Sequence, residues 1–262
     1  MSRQILAVFA AALLAAGCSS GDGEVDEARL LAAQTDPASW LMVGGSYDEQ
    51  HYSALKQIHS DNVAELAPAW VVEFDVTRGQ EGEPLVVDGV IYVVTAWSKV
   101  HAVDGATGKT LWSYDPEVPG EWGAKGCCDV VSRGLAYYDG KVFLASYDGR
   151  LIALDADTGT ELWETNTIDR SKRYTITGAP RVFKGKVVIG NGGAEYPTRG
   201  YVTAYDANTG AKVWRFYTVP GEPGVKDGEP SDEPLEKLAR PTWFGDDYWK
   251  NGGGGTAWDA IV

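Results

Sequence analysis

The stretch AVDGATGKTLW, residues 102–112, recurs without gaps as ALDADTGTELW at 153–163 and as AYDANTGAKVW at 204–214. Trp112, Trp163 and Trp214 fall 51 residues apart, and so do Asp104, Asp155 and Asp206, and Gly108, Gly159 and Gly210. A period near ~50 residues marks either a β-propeller or a solenoid.

Working outward from the motif separates these two. Ahead of each copy runs a β-branched and aromatic stretch, Val86 to Thr95, Lys141 to Ser146 and Lys186 to Gly190, associated with Asp88-Gly89, Asp139-Gly140 or Lys184-Gly185. Such dipeptides favour tight hairpins. Inside the motif Ala-Thr-Gly, Asp-Thr-Gly or Asn-Thr-Gly separates two short strands, where Gly takes a positive φ at no steric cost. No long amphipathic helical period appears within the repeats. The reading is an all-β fold, a β-propeller of four-stranded blades, with the tryptophans as packing between blades. Trp70, in LAPAW, supplies a further docking indole. The next expected one falls past Val262, and open strand edges are avoided in natural sheets. The chain is therefore expected to be the N-terminal portion of a longer protein.

Of 262 residues, 44% are hydrophobic and 32 are Gly, which indicates an ordered, turn-rich body. With 23 basic against 37 acidic residues the net charge is −14, a sign that repels phosphate backbones and argues against nucleic-acid partners. Arg3 precedes an apolar run from Ile5 to Ala16, the size of a signal-peptide core and short of the ~20 residues needed to span a bilayer. Export is expected. The run ends in Leu14-Ala15-Ala16-Gly17-Cys18, which resembles a bacterial lipobox and implies a lipid anchor on Cys18. Ala15, where that pattern most often has Leu, leaves cleavage by an ordinary signal peptidase open. Ser19 in place of Asp resembles the outer-membrane sorting choice. Residues 1–18 thus read as signal peptide, 19–36 as a polar tether and 37–262 as propeller.

Cys127 and Cys128 are adjacent. Neighbouring Cα atoms lie about 3.8 Å apart, shorter than the usual ~4.4–6.8 Å of a disulfide, so a bridge between them closes a strained small ring. Free thiols, or bonds to a segment elsewhere, stay open on spacing alone. A zinc site is disfavoured because no neighbouring Cys or His completes a ligand set.

From about Trp40 onward the sequence resembles the quinoprotein alcohol dehydrogenases, periplasmic enzymes that carry pyrroloquinoline quinone (PQQ). The resemblance rests on QEGEP at Gln80, WSKVHAVD at Trp97, DPEVPGEWGAKGCCDVVSRG at Asp115, YTITGAP at Tyr174, IGNGGAEY at Ile189, RGYVTAYD at Arg199 and GGGGTAWD at Gly252. It implies an eight-bladed propeller with about half present here. It further implies that Glu81, Arg133 and Thr177 make polar contacts with PQQ, with Gly193 and Ala194 approaching by backbone. Trp258 is then the indole beneath the planar ring, Thr256 its polar neighbour, and a Cys127–Cys128 disulfide covers the opposite face. Glu195 matches a carboxylate ligand of Ca²⁺, a cation that takes six to eight oxygens. An Asn ligand and an Asp general base belong downstream of the GGGGTAWD indole, so no catalytic residue is assigned and these residues alone are expected to be inactive. The implied reaction is oxidation of a small alcohol to an aldehyde by hydride transfer to PQQ, Ca²⁺ serving as Lewis acid, with electrons passing to a cytochrome c.

The competing reading is a noncatalytic propeller lipoprotein resembling the outer-membrane assembly scaffold, which shares docking repeats and anchor but has no use for adjacent cysteines, Arg133 or GGAEY. Between Pro220 and Asn251 the rhythm breaks into an acidic, proline-rich excursion. A short helix is expected there over Glu233 to Leu238, capped by Ser231 or Asp232. His51, His59 and His101 show no paired spacing and receive no role.

Overall fold

The computed structural model describes residues 24–245, 247–259 and 261–262. The expected signal peptide, Cys18 and the first part of the tether lie outside the described residues. Three blades follow one another in the chain. The first holds β1 (Leu85–Val87), β2 (Val90–Val94), β3 (Val100–Asp104) and β4 (Thr110–Tyr114). The second holds β5 (Ala136–Tyr138), β6 (Lys141–Ala145), β7 (Arg150–Asp155) and β8 (Glu161–Asn166). The third holds β9 (Arg181–Phe183), β10 (Lys186–Ile189), β11 (Tyr201–Asp206) and β12 (Lys212–Tyr217). Each is an antiparallel sheet of four strands in chain order.

The expected dipeptides make the first hairpin of each blade. Asp88 and Gly89 have φ of 48° and 83°, Asp139 and Gly140 of 52° and 67°, and Lys184 and Gly185 of 50° and 65°. Positive φ at both central residues matches the twist of the flanking strands. A register shift follows at one equivalent point per blade, at Ala102/Val103, Ala153/Leu154 and Ala204/Tyr205. An extra residue there sharpens the local twist.

The tryptophans dock each unit onto the next. Nε1 of Trp70 donates to Gly105 O at 3.1 Å, that of Trp112 to Ala156 O at 2.9 Å and that of Trp163 to Ala207 O at 3.3 Å. Each indole lies flat on the tight turn of the following motif. A Cβ added to Gly159 would stand 2.5 Å from the Trp112 ring, and one on Gly210 2.6 Å from Trp163, so only glycine admits the contact. Val142, Phe143, Leu144, Leu151, Ile152 and Leu154 of the middle strands form the core, while β4, β8 and β12 alternate between exposed and half-buried positions.

The repeated Asp closes each motif turn. Oδ1 of Asp104, Asp155 and Asp206 accepts the backbone N–H and the hydroxyl of Thr107, Thr158 and Thr209. Hydroxyl and amide donors hold all three carboxyls below their usual range. A depressed folded pKa contributes stability that is present above the unfolded value of about 3.9 and lost as pH falls through the folded one. The denaturation midpoint is thus expected to drop with acid below about pH 4, and a D104N/D155N/D206N variant should show a shallower drop. Equal acid sensitivity in the two proteins would remove these turns as its source.

Two expectations are corrected. Residues 24–36 are not a free tether: Asp26 caps the helix α1 (Glu27–Leu31) by accepting from Arg29 N at 2.9 Å, and Val25, Leu30 and Ala33 are buried in the main core. In the excursion, a turn of helix spans Asp232–Pro234, widens over Leu235–Ala239 and tightens over Arg240–Thr242. Ser231 makes no cap. The Asp232 carboxylate turns away from the helix and accepts from Asp227 N and Gly228 N instead.

Candidate functional site

The segments that lead into the first strands of the blades lie side by side. Glu83 N donates to Arg133 O at 3.0 Å, Arg133 N to Thr177 O at 2.9 Å, and the Thr177 hydroxyl to Trp258 O at 3.2 Å. Four stretches far apart in sequence thereby bring Glu81, Arg133, Thr177 and Trp258 into one neighbourhood. A carboxylate, a guanidinium, a hydroxyl and an indole are gathered by backbone pairing.

Arg133 is the hinge of this group. Its Nη2 lies 3.1 Å from Glu81 Oε2, its Nε 3.6 Å from Asp259 Oδ1, and its guanidinium carbon 4.9 Å from the centroid of the Trp258 ring. Nη1 is buried and has no hydrogen-bond partner. A buried unsatisfied donor is costly, and on a guanidinium held on its other sides it is suited to an oxygen of an anionic ligand. Trp258 remains 48% exposed, so a ring face is accessible beside that donor.

The glycine run leads Trp258 into place. Gly254 N donates to Thr198 O at 3.2 Å, Gly200 N to Gly254 O at 2.7 Å, and the Thr218 hydroxyl to Gly255 O at 2.6 Å. GGGG is therefore bonded into the neighbouring segment, with Thr256 half-buried between it and Trp258. On the other side, Gly192 N donates to Thr175 O at 2.7 Å and carries the chain into Gly193, Ala194 and Glu195. Gly193 is buried at φ 107°, where a Cβ would stand 2.6 Å from Arg173 O. Ala194 and Glu195 are exposed. Among the described residues no group of three or more His, Cys, Asp or Glu side chains converges on a metal position.

Cys127 and Cys128 are joined in a disulfide with Cα atoms 3.8 Å apart. Their loop is held from several directions. Val130 O accepts from Trp97 N at 2.9 Å, Asp129 Oδ1 from Arg78 Nε at 2.8 Å, and Ala124 O from Arg173 Nη2 at 3.0 Å. The Arg78 guanidinium holds the Asp129 carboxyl below the usual carboxylate range. Trp122 is buried under Lys125 Nζ at 3.5 Å and the Arg170 guanidinium at 4.8 Å from its ring. It belongs to a second apolar cluster with Ala96, Val130, Ile168, Tyr174 and Tyr201. A Cβ on Gly126 would stand 3.6 Å from Thr175 Cγ2, so the disulfide loop lies over the segment ahead of β9 that carries Thr177.

Sequence reasoning missed several members of this neighbourhood. Asp259, which flanks Arg133, closes the GGGGTAWD motif, whose Thr256 and Trp258 alone carry an expected role. Arg78 and Trp97 anchor the disulfide loop from positions with no repeat signal. Among the histidines, His51 faces Glu83 at 3.5 Å, and burial pushes His101 down.

A family model described as the β-propeller domain of PQQ-type glucose/ethanol/alcohol dehydrogenases matches residues 40–244. The chain belongs to that family. It is 54% identical over 233 residues to the dehydrogenase subunit of a quinone alcohol dehydrogenase of Gluconobacter oxydans, covering 86% of this chain and 31% of the relative. It is also 54% identical over 200 residues to a 1-butanol dehydrogenase (cytochrome c) of Thauera butanivorans, covering 75% of this chain and 28% of that one. Among solved structures, a quinohemoprotein alcohol dehydrogenase of Pseudomonas putida superposes with a TM-score of 0.86 at 51% identity, over 90% of this chain and 34% of that chain. The chain thus spans about a third of the length of the proteins it matches. Family membership makes PQQ the implied cofactor, and the unpartnered Arg133 Nη1 beside a half-exposed indole fits a flat, anionic ring. For Ca²⁺, Glu195 would supply one carboxylate, and among the described residues no group of three or more acidic, histidine or cysteine side chains gathers to complete a site.

Proposed function

We propose that the protein is a PQQ-dependent alcohol dehydrogenase that oxidises a small alcohol to the aldehyde, with a cytochrome c as electron acceptor. The observation that carries this reading is the Arg133 guanidinium, fixed by Glu81, Asp259 and Trp258 with Nη1 left open. When bound, PQQ supplies an electrophilic quinone carbonyl that accepts hydride from the alcohol carbon.

This chain's own residues bind and orient. Arg133 gives charge-assisted hydrogen bonds to a ligand carboxylate through Nη1. Glu81 holds Nη2 and keeps the guanidinium plane fixed. Trp258 offers the stacking face, and aromatic stacking adds to apolar burial without a covalent link. The Thr177 hydroxyl and the backbone of Gly193 and Ala194 set the ring's rotation, Thr256 lies next to the indole, and the Cys127–Cys128 ring excludes water from the opposite face. Glu195 contributes one oxygen ligand to Ca²⁺, a hard cation that needs several more. The cytochrome assignment draws on the acceptor named for the Thauera relative, a 1-butanol dehydrogenase (cytochrome c). The proposed location is the periplasm, reached through the Ile5–Ala16 signal core, with Cys18 lipidated and anchored at the outer membrane.

The test is reconstitution of the full-length protein. With PQQ and Ca²⁺ it should oxidise ethanol or 1-butanol against an artificial electron acceptor, and the apo protein should not. A full-length protein that takes up no PQQ from solution, as read by absorbance after gel filtration, would overturn the assignment.

A further inference from the structure

Tyr147 has no role in the site as described so far, yet its position is unusual. It is 1% exposed, and its hydroxyl makes no hydrogen bond of ordinary geometry. Burial pushes the phenol up to about 12, with Tyr196, Asp129 and Glu195 adding to the shift and the Gly126 backbone amide opposing it. The backbone is pinned on both sides: Tyr147 N donates to the Ser98 hydroxyl at 2.9 Å, and Ile176 N donates to Tyr147 O at 3.3 Å. The residue is a fixed pillar between the first blade and the segment leading into the third.

The head of that pillar meets the disulfide loop. A Cβ on Gly126 would stand 2.0 Å from the Tyr147 hydroxyl oxygen and 3.0 Å from Cζ. Gly126 precedes Cys127, so the absent side chain lets the loop settle on the hydroxyl. A purely space-filling role would be served better by phenylalanine, which leaves no buried polar atom unsatisfied.

We propose that Tyr147 is a positioning residue for the Cys127–Cys128 ring, its hydroxyl setting the height of the loop above Thr175 and Thr177. The inference rests on the cofactor reading above, in which that ring covers one face of PQQ. Height matters because a stacked ring loses dispersion contact on the covered face if its cover rises by a fraction of an ångström.

The test is a two-residue cycle in the full-length protein. Two readouts are taken: the pseudo-first-order rate of disulfide reduction by dithiothreitol, and the Kd of the apo protein for PQQ from tryptophan quenching. Gly126→Ala is expected to speed reduction and weaken PQQ by about tenfold each, since the methyl forces the loop off the hydroxyl. Tyr147→Phe should change both by about threefold, because the loop loses its stop. In the double variant the methyl occupies the space the hydroxyl vacated, and both readouts should return to within about threefold of wild type. Effects of the two substitutions that simply multiply, or a Tyr147→Phe protein indistinguishable from wild type in both, would overturn the proposal. If Gly126→Ala does not fold, Tyr147→Phe alone decides, with its thermal midpoint as control. A wild-type protein that binds no PQQ would sink the cofactor reading, while the reduction rates would still decide the positioning.

Discussion

Replacing Trp163 by alanine is expected to destabilise the protein by about 3 kcal/mol, the lower part of the range for removing a packed Trp because this indole is only half-buried. The loss has three parts. The ring leaves the Gly210 turn uncovered, where it lies so close that a Cβ would meet it at 2.6 Å. It abandons Phe143, whose ring centroid is 5.9 Å away at an interplanar angle of 44°. It also deletes the Nε1 donor to Ala207 O at 3.3 Å, a bond of about 1 kcal/mol net. Trp163→Phe should fall between, keeping part of the ring contact but not the donor. The consequence is larger than local, because Trp163 belongs to the second blade and Ala207 and Gly210 to the third. In an array of repeats, stability is a sum of unit terms and neighbour interfaces, so weakening one interface should broaden or split the urea transition. A Trp163→Ala protein within about 0.5 kcal/mol of wild type and with an unchanged single transition would show that the indole is not what couples the blades.

This docking was legible in the sequence because it is short-ranged and periodic. Asp, Gly and Trp recur at one offset, and each signals its own chemistry: turn closure, positive φ, flat packing. The register shifts after Ala102, Ala153 and Ala204 were invisible, since a bulge is set by which backbone groups pair and not by residue type. The short α1 helix was hidden for another reason. Its five residues give no period to detect, and Val25 and Leu30 stand in an otherwise acidic stretch that reads as solvated. Ser231 and Asp232 ahead of the excursion predict a capped helix, but the Asp232 carboxylate is taken by the amides of Asp227 and Gly228 in the loop.

The proposed cofactor site lies at the other extreme. Glu81, Arg133, Thr177 and Trp258 follow no period, and only the resemblance to a family singled them out. What gathers them is pairing between the segments ahead of the blades, from Glu83 to Arg133 and from Arg133 to Thr177. Such pairing leaves no signature in composition. Asp259 and Tyr147 escaped for the same reason, because each is defined by what faces it across a gap between units.

That convergence makes Arg133 the residue whose loss should weaken cofactor binding most. Arg133→Ala is expected to raise the Kd of the full-length apo protein for PQQ by about 100-fold, in the range for truncating one partner of a desolvated charge pair. Two effects act together. The ligand loses its charge-assisted donor, and Glu81 and Asp259, at 3.1 and 3.6 Å from the guanidinium, are left facing an anion without neutralisation. The two carboxylates have side-chain exposures of 45% and 55%, so their repulsion is screened by salt and part of the loss should recover at high ionic strength. Arg133→Lys should keep the charge but not the fork, since one ammonium cannot hold Glu81 and the ligand in the planar geometry of a guanidinium, and about tenfold weakening is expected. Adding Asp259→Asn to Arg133→Ala should recover affinity, whereas the same change in the wild-type background should weaken binding, because Asp259 there helps to hold the guanidinium. That reversal of sign distinguishes an electrostatic partner of Arg133 from a residue that merely packs nearby. An Arg133→Ala protein binding PQQ within about twofold of wild type would place the ligand's anionic groups against some other donor.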